Sequence, residues 1–178
     1  MRMTAMLGGA LALALTATAA RAEVVEAQDW GFQVRHVYQV AAPPERVWAV
    51  LVQPSRWWDP EHSWFGRAEG LTLDLKPGGC FCEIGPDGAG ARHMDVAYVK
   101  PRESLHLWGA LGPLHTEGVT GGLVIELKPA AGGTELTVTY TAGGFAKGGL
   151  KQWAPLVDGV VGHQFEGLEK AAAGAKAQ

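Results

Sequence analysis

Four large aromatic side chains crowd into nine residues, as Trp57, Trp58, Trp64 and Phe65. Indole and phenyl faces at that density suit an apolar partner, and the indole N–H groups can orient its polar end. Plain core packing is the competing use. Polar groups on the expected inward strand faces are few. Phe81 and Glu83 alternate along one run, and His36 and Tyr38 share a face with Val34 and Val40. Tyr98 shares a face with Met94 and Val96, and Tyr140 closes the last run. A carboxylate, an imidazole and phenols in apolar surroundings can anchor a headgroup or take part in acid/base chemistry. Each can equally be satisfied by a structural hydrogen bond. Glu83 is penalised by desolvation unless a partner such as Arg92 or a tyrosine hydroxyl compensates. Leu107 on another strand, with Trp153 and Val157 on the last helix, completes the expected ligand-binding lining. No residue is assigned a catalytic role.

Other chemistries find little support. The six histidines (His36, His62, His93, His106, His115 and His163) contain no close-spaced ligand pair, so no metal is expected. Lys76-Pro77-Gly78-Gly79 lacks phosphate-loop spacing, no nucleophile elbow is present, and no cofactor is expected. Cys80 and Cys82 flank Phe81. Residues i and i+2 of a regular strand lie about 6.5–7 Å apart, at or beyond disulfide reach, which predicts two small apolar thiols on one face.

The elements that must position these groups follow from periodicity and turn chemistry. Alternation over Phe32–Val40 predicts a first strand, and Pro43-Pro44 opens a short helix with Val47, Val50 and Leu51 on one face. Pro54 ends it, and a second short helical turn is expected over Pro54–Trp58. Six further strands are expected at Leu71–Leu75, Cys80–Ile84, His93–Val99, Leu105–Ala110, Leu123–Leu127 and Glu135–Tyr140, separated by Gly- and Pro-rich turns. A long helix from Lys151 to Ala173 carries Trp153, Val157, Val160, Val161, Gln164, Phe165 and Leu168 as its apolar stripe, with Pro155 in its first turn. The Gly109–Pro113 segment is expected at a cavity rim.

This order implies an α+β helix-grip fold, with a curved antiparallel sheet of six to seven strands around one long C-terminal helix. Space between such a sheet and its helix is commonly a ligand cavity.

Upstream, Arg2 precedes a short apolar run from Ala5 to Leu15, and Ala20-Arg21-Ala22 matches an export cleavage site. Residues 1–22 are therefore expected to be a signal peptide and 23–174 the domain, in the periplasm or secreted. No stable membrane anchor is expected after cleavage, because the apolar run falls short of the ~20 residues a span needs. Residues 23–178 carry 13 basic and 18 acidic side chains, a net charge of −5. That balance excludes a nucleic-acid binder, which needs a basic surface. The sequence sets no oligomeric state.

Ala42-Pro43-Pro44-Glu45-Arg46-Val47-Trp48, Trp57-Trp58, Pro77-Gly78-Gly79 and Gly133-Thr134 resemble the START-like (SRPBCC) superfamily. Within it they look most like the branch named after the activator of the heat-shock chaperone ATPase. His93-Met94-Asp95-Val96, Gly109–Leu114 and Val157-Asp158-Gly159-Val160 are similar to an exported bacterial subgroup. The resemblance spans Phe32 to Ala172 and implies a cavity-bearing fold. It also implies a hydrophobic small molecule or lipid as partner, and an inward aromatic at Phe81. Three functions compete: a carrier or sensor of a hydrophobic molecule, a cyclase- or hydrolase-like enzyme using the same cavity, and a protein-interaction module. The first is favoured, since no nucleophile or metal set accompanies the aromatic cluster.

Overall fold

A computed structural model describes residues 21–174. Residues 1–20, which hold most of the expected signal peptide, lie outside the described residues. The described residues form eight strands in one sheet: β1 (Arg21–Gln28), β2 (Gly31–Val40), β3 (Leu71–Leu73), β4 (Cys80–Ile84), β5 (Gly90–Lys100), β6 (Ser104–Trp108), β7 (Gly118–Ala130) and β8 (Gly133–Phe145). Their order is β1-β2-β8-β7-β6-β5-β4-β3, and every neighbouring pair is antiparallel. Helix α1 (Pro44–Leu51) follows β2, and helix α2 (Ala154–Ala173) ends the described chain. The helix-grip architecture is as the sequence implied.

The differences have local causes. β1 was not expected, because its register begins inside the export-like segment, with Arg21 opposite Val37. Its Glu23-Val24-Val25-Glu26 core is short and exposed, so it shows no buried alternation. The expected second helix is a single 3-10 turn over Pro54–Arg56, followed by another over Pro60–His62. β7 and β8 outrun their apolar cores because glycines carry them on. At Gly121 a Cβ would run into the Thr141 carbonyl oxygen, so this crossing of the two strands needs glycine.

Helix α2 lies against the concave face of the sheet. Val161, Phe165 and Leu168 join Val34, Leu123, Ile125, Leu136, Val138 and Tyr140 in one continuous core. Pro155 occupies the first turn, where its missing N–H leaves no gap in the helix. Among the described residues no helix is long and apolar enough to cross a membrane.

Two bulges in β5 decide which of its side chains face the cavity. Phe81 pairs with Met94 and Cys82 with Arg92, so His93 is the extra residue and turns inward with Met94. Val96 pairs with Leu107 and Tyr98 with His106, so Ala97 is extra. That second bulge throws Tyr98 outward, 45% exposed and with its ring tilted against His106. The inward placement expected for Tyr98 is thereby corrected. The expectation of two free thiols is corrected as well. Cys80 and Cys82 form a disulfide, their Cα atoms drawn to 5.3 Å where β4 runs beside the first bulge. That separation falls within the range a disulfide spans.

Candidate functional site

A cavity of about 440 Å³ opens on one side to solvent. Such a volume is within the roughly 300–1,000 Å³ usual for small-molecule sites. One wall is the segment from Trp58 to Trp64, a second is the Leu111–Leu114 rim, and α2 supplies the third through Trp153, Leu156, Val157, Val160, Val161, Gln164 and Phe165. Leu123 of β7 and His93 of β5 complete the lining. Leu156 and Val160 are exposed apolar side chains, which in this fold is explained by their facing the cavity.

Of the residues expected to line the cavity, four do so: Trp58, Trp64, Trp153 and Val157. Trp58 donates its indole N–H to the His62 carbonyl at 3.1 Å and packs edge-on against Phe81 at 5.3 Å. Trp64 is half exposed against His115, like a flap over the opening.

The other expected residues sit elsewhere. Trp57 donates to the Leu51 carbonyl and packs at a tilt against Phe165. Phe65 covers Gly85, where a Cβ would meet its ring at 2.8 Å. Phe81, Met94 and Leu107 are buried in the core. Tyr140 is buried with its hydroxyl accepting the Leu111 N–H at 3.2 Å, so it props the rim from behind. His36 and Tyr38 point to the opposite flank of α2 from the cavity. The Tyr38 hydroxyl donates to the Gly162 carbonyl at 3.0 Å. Its acidity is suppressed, first by burial and then by the charges of Glu166, Glu169 and Asp158. His36 Nε2 lies 2.9 Å from Asp158 Oδ1, yet neither atom has a hydrogen-bond partner of good geometry, so the contact is one of proximity only. Burial holds the His36 pKa below its ordinary value despite that carboxylate.

Glu83 is fully buried beneath the cavity, as its alternation with Phe81 implied. Neither Arg92, which pairs with Asp95 at 2.7 Å, nor a tyrosine satisfies it. Its Oε1 accepts the Phe65 N–H at 2.9 Å and its Oε2 the Trp64 N–H at 2.9 Å. His93 Nε2 lies 3.2 Å from Oε2. A carboxylate can only accept, so the imidazole donates Nε2–H and its Nδ1 is left with the lone pair. Burial holds the His93 pKa below its ordinary value; Glu83 pulls the other way, and the nearby His115 adds a smaller lowering. The site thus places a neutral imidazole, oriented by a buried carboxylate, in the wall of an apolar cavity.

Sequence reasoning missed His93, because only the bulge turns it inward and no spacing announces a bulge. It also missed the polar fittings on α2. Gln164 is 1% exposed; its Oε1 accepts the Asp59 N–H at 2.8 Å, while its Nε2 has no partner among the described residues. The Trp153 Nε1–H is likewise buried and unpartnered. Buried donors without acceptors are uncommon, and both of these nitrogens are closed off from solvent, including the open cavity.

The chain belongs to the polyketide cyclase / dehydrase and lipid transport family, whose sequence profile matches residues 31–174. That membership supports the START-like superfamily assignment and a hydrophobic ligand-binding or cyclase-like role. A comparison with curated proteins finds no match. Among solved structures, a protein from Nitrosomonas europaea is 20% identical with a TM-score of 0.53, covering 81% of this chain and 94% of its own. One from Rhizobium leguminosarum is 20% identical with a TM-score of 0.56, over 87% and 98%. CalU16 from Micromonospora echinospora is 15% identical with a TM-score of 0.55, over 90% and 88%. At these identities the likeness is one of fold.

Proposed function

We propose that this protein is an exported carrier or sensor that holds an apolar small molecule in the cavity between α2 and the Trp58–Trp64 segment. The observation that carries the reading is the cavity itself: about 440 Å³ and mainly apolar. A largely hydrophobic molecule matches that lining. The Cys80–Cys82 disulfide favours an oxidising compartment, in keeping with export. A cut before Glu23 would leave Glu23–Gln28 still paired with β2. The finer affiliation, with the exported subgroup of the chaperone-ATPase-activator branch, rests on the sequence motifs alone.

The test is binding of an environment-sensitive apolar dye to the purified mature chain, with affinity of micromolar or better, roughly −8 kcal/mol. Val157→Trp, which fills the cavity from α2, should abolish binding. Trp64→Ala should weaken it, and Trp30→Ala, 68% exposed beside β1, should leave it unchanged. Equal affinity in all four proteins would refute the reading. Native mass spectrometry of protein taken from its own periplasm would then identify the bound molecule.

The Glu83–His93 pair favours a second reading, a cyclase-like enzyme with His93 as the base. Its mark would be turnover of an enolisable apolar substrate that falls by about 10²–10⁴-fold in His93→Gln while dye affinity holds.

A further inference from the structure

We infer that Asp59, His62 and His163 form a binding site for a divalent transition-metal ion of the zinc class at the cavity mouth. One ligand atom from each of the three lies within 4.8 Å of the others. His163 Nε2 is 2.6 Å from Asp59 Oδ2, and the His62 and His163 rings are 5.7 Å apart between centroids. Asp59 and His62 belong to one short turn, and His163 lies 104 residues beyond Asp59. They meet because the turn after Trp58 docks on α2.

The docking is built rather than incidental. Gln164, next to His163, holds the Asp59 N–H at 2.8 Å. Asp59 Oδ1 is occupied by the Glu61 N–H at 2.9 Å, which leaves Oδ2 directed at His163. The backbone of His62 is fixed on both sides, its N–H on the Asp59 carbonyl and its carbonyl under the Trp58 indole. Such supporting contacts orient ligands and raise metal affinity.

The donor set selects the metal. Two imidazoles and one carboxylate suit zinc and its neighbours in the first transition row, whereas calcium and magnesium take oxygen ligands. Three protein ligands leave a fourth position open, the pattern of zinc sites that bind an exogenous group. His62 is also part of the cavity wall, so water or an oxygen of a cavity occupant can take that position. A simple His163–Asp59 ion pair is the rival account, and it gives the His62 ring no role.

The full mature chain, stripped with a chelator and dialysed, is titrated with Zn²⁺ by calorimetry and with Co²⁺ by visible absorption. We expect one ion per chain, a Kd of micromolar or below, and the intense visible band of four-coordinate Co²⁺. His62→Ala and His163→Ala should each weaken binding by tenfold or more, and His106→Ala should not. Both ligand histidines are exposed, so the fold should survive their loss, which circular dichroism checks. On adding Zn²⁺ to the unaltered chain, the NMR signals of both rings should shift together. Absence of stoichiometric binding, or a loss confined to one of the two histidine variants, would overturn the inference. The test does not depend on what the cavity holds.

Discussion

Replacing Glu83 by Gln keeps the side-chain shape and removes the charge at the point where three N–H groups converge. The carboxylate serves the Trp64 and Phe65 amides at 2.9 Å each and His93 Nε2 at 3.2 Å. Glutamine offers one acceptor oxygen. With that oxygen at the Oε2 position, its NH₂ faces the Phe65 N–H. With the oxygen at Oε1, the NH₂ faces the Trp64 N–H, although His93 can move its proton to Nδ1 and accept. Either way one buried backbone donor is stranded, at about 1–3 kcal/mol, and the bonds that remain are no longer charge-assisted. Relief from burying a charge offsets part of this, leaving a net loss of about 2 kcal/mol. For a domain of this size that lowers Tm by about 4–8 °C. Urea unfolding should report it as a lower midpoint at unchanged slope. Amide exchange at Trp64 and Phe65 should accelerate more than exchange in β7 and β8. Because Trp64 lines the cavity, dye affinity should fall along with stability. A midpoint within about 0.5 kcal/mol of the parent, with Trp64 and Phe65 exchange unchanged, would refute this account of the buried carboxylate.

The remaining predictions are independent of it. Gly167→Ala raises helix propensity but sets a Cβ 2.6 Å from the Trp57 carbonyl oxygen. Backbone must yield there, so a loss of about 1–3 kcal/mol is expected, and a stabilised variant would show that the turn after Trp57 is loosely held. His36 and His93 both have pKa values lowered by burial, so the unfolded chain binds the extra protons. Their contribution is therefore complete above about pH 6.5 and lost as pH falls below it, at up to about 1.4 kcal/mol per pH unit for each group. Unfolding midpoints across that window should flatten in His93→Gln; a parent stability flat from pH 7 to 5 would contradict both shifts. The Cys80–Cys82 bridge closes a very short loop, so Cys80→Ser with Cys82→Ser should cost about 1.5 kcal/mol, below the usual disulfide range. Thiol reagent should find no free sulfhydryl in the unreduced chain.

The helix-grip architecture was legible in the sequence because it rests on local periodicity. Leu136, Val138 and Tyr140 alternate with threonines, and the α2 stripe repeats at helical spacing, whatever the rest of the chain does. The inward faces of β2 and β4 followed from that alternation, which placed His36, Tyr38, Phe81 and Glu83 in the interior. Which interior they met was decided only by the tertiary structure. Helix α2 divides the space, so His36 and Tyr38 fall on the flank of Gly162, while Trp58, Trp64, Trp153 and Val157 fall on the cavity. Alternation also fails at a bulge, where one extra residue reverses every side chain beyond it. The bulges at His93 and Ala97 therefore brought one unexpected histidine in and sent Tyr98 out. The partners of Glu83 and the grouping of Asp59 with His62 and His163 depend on contacts between segments far apart in the chain. Such contacts exist only once the sheet has closed on its helix.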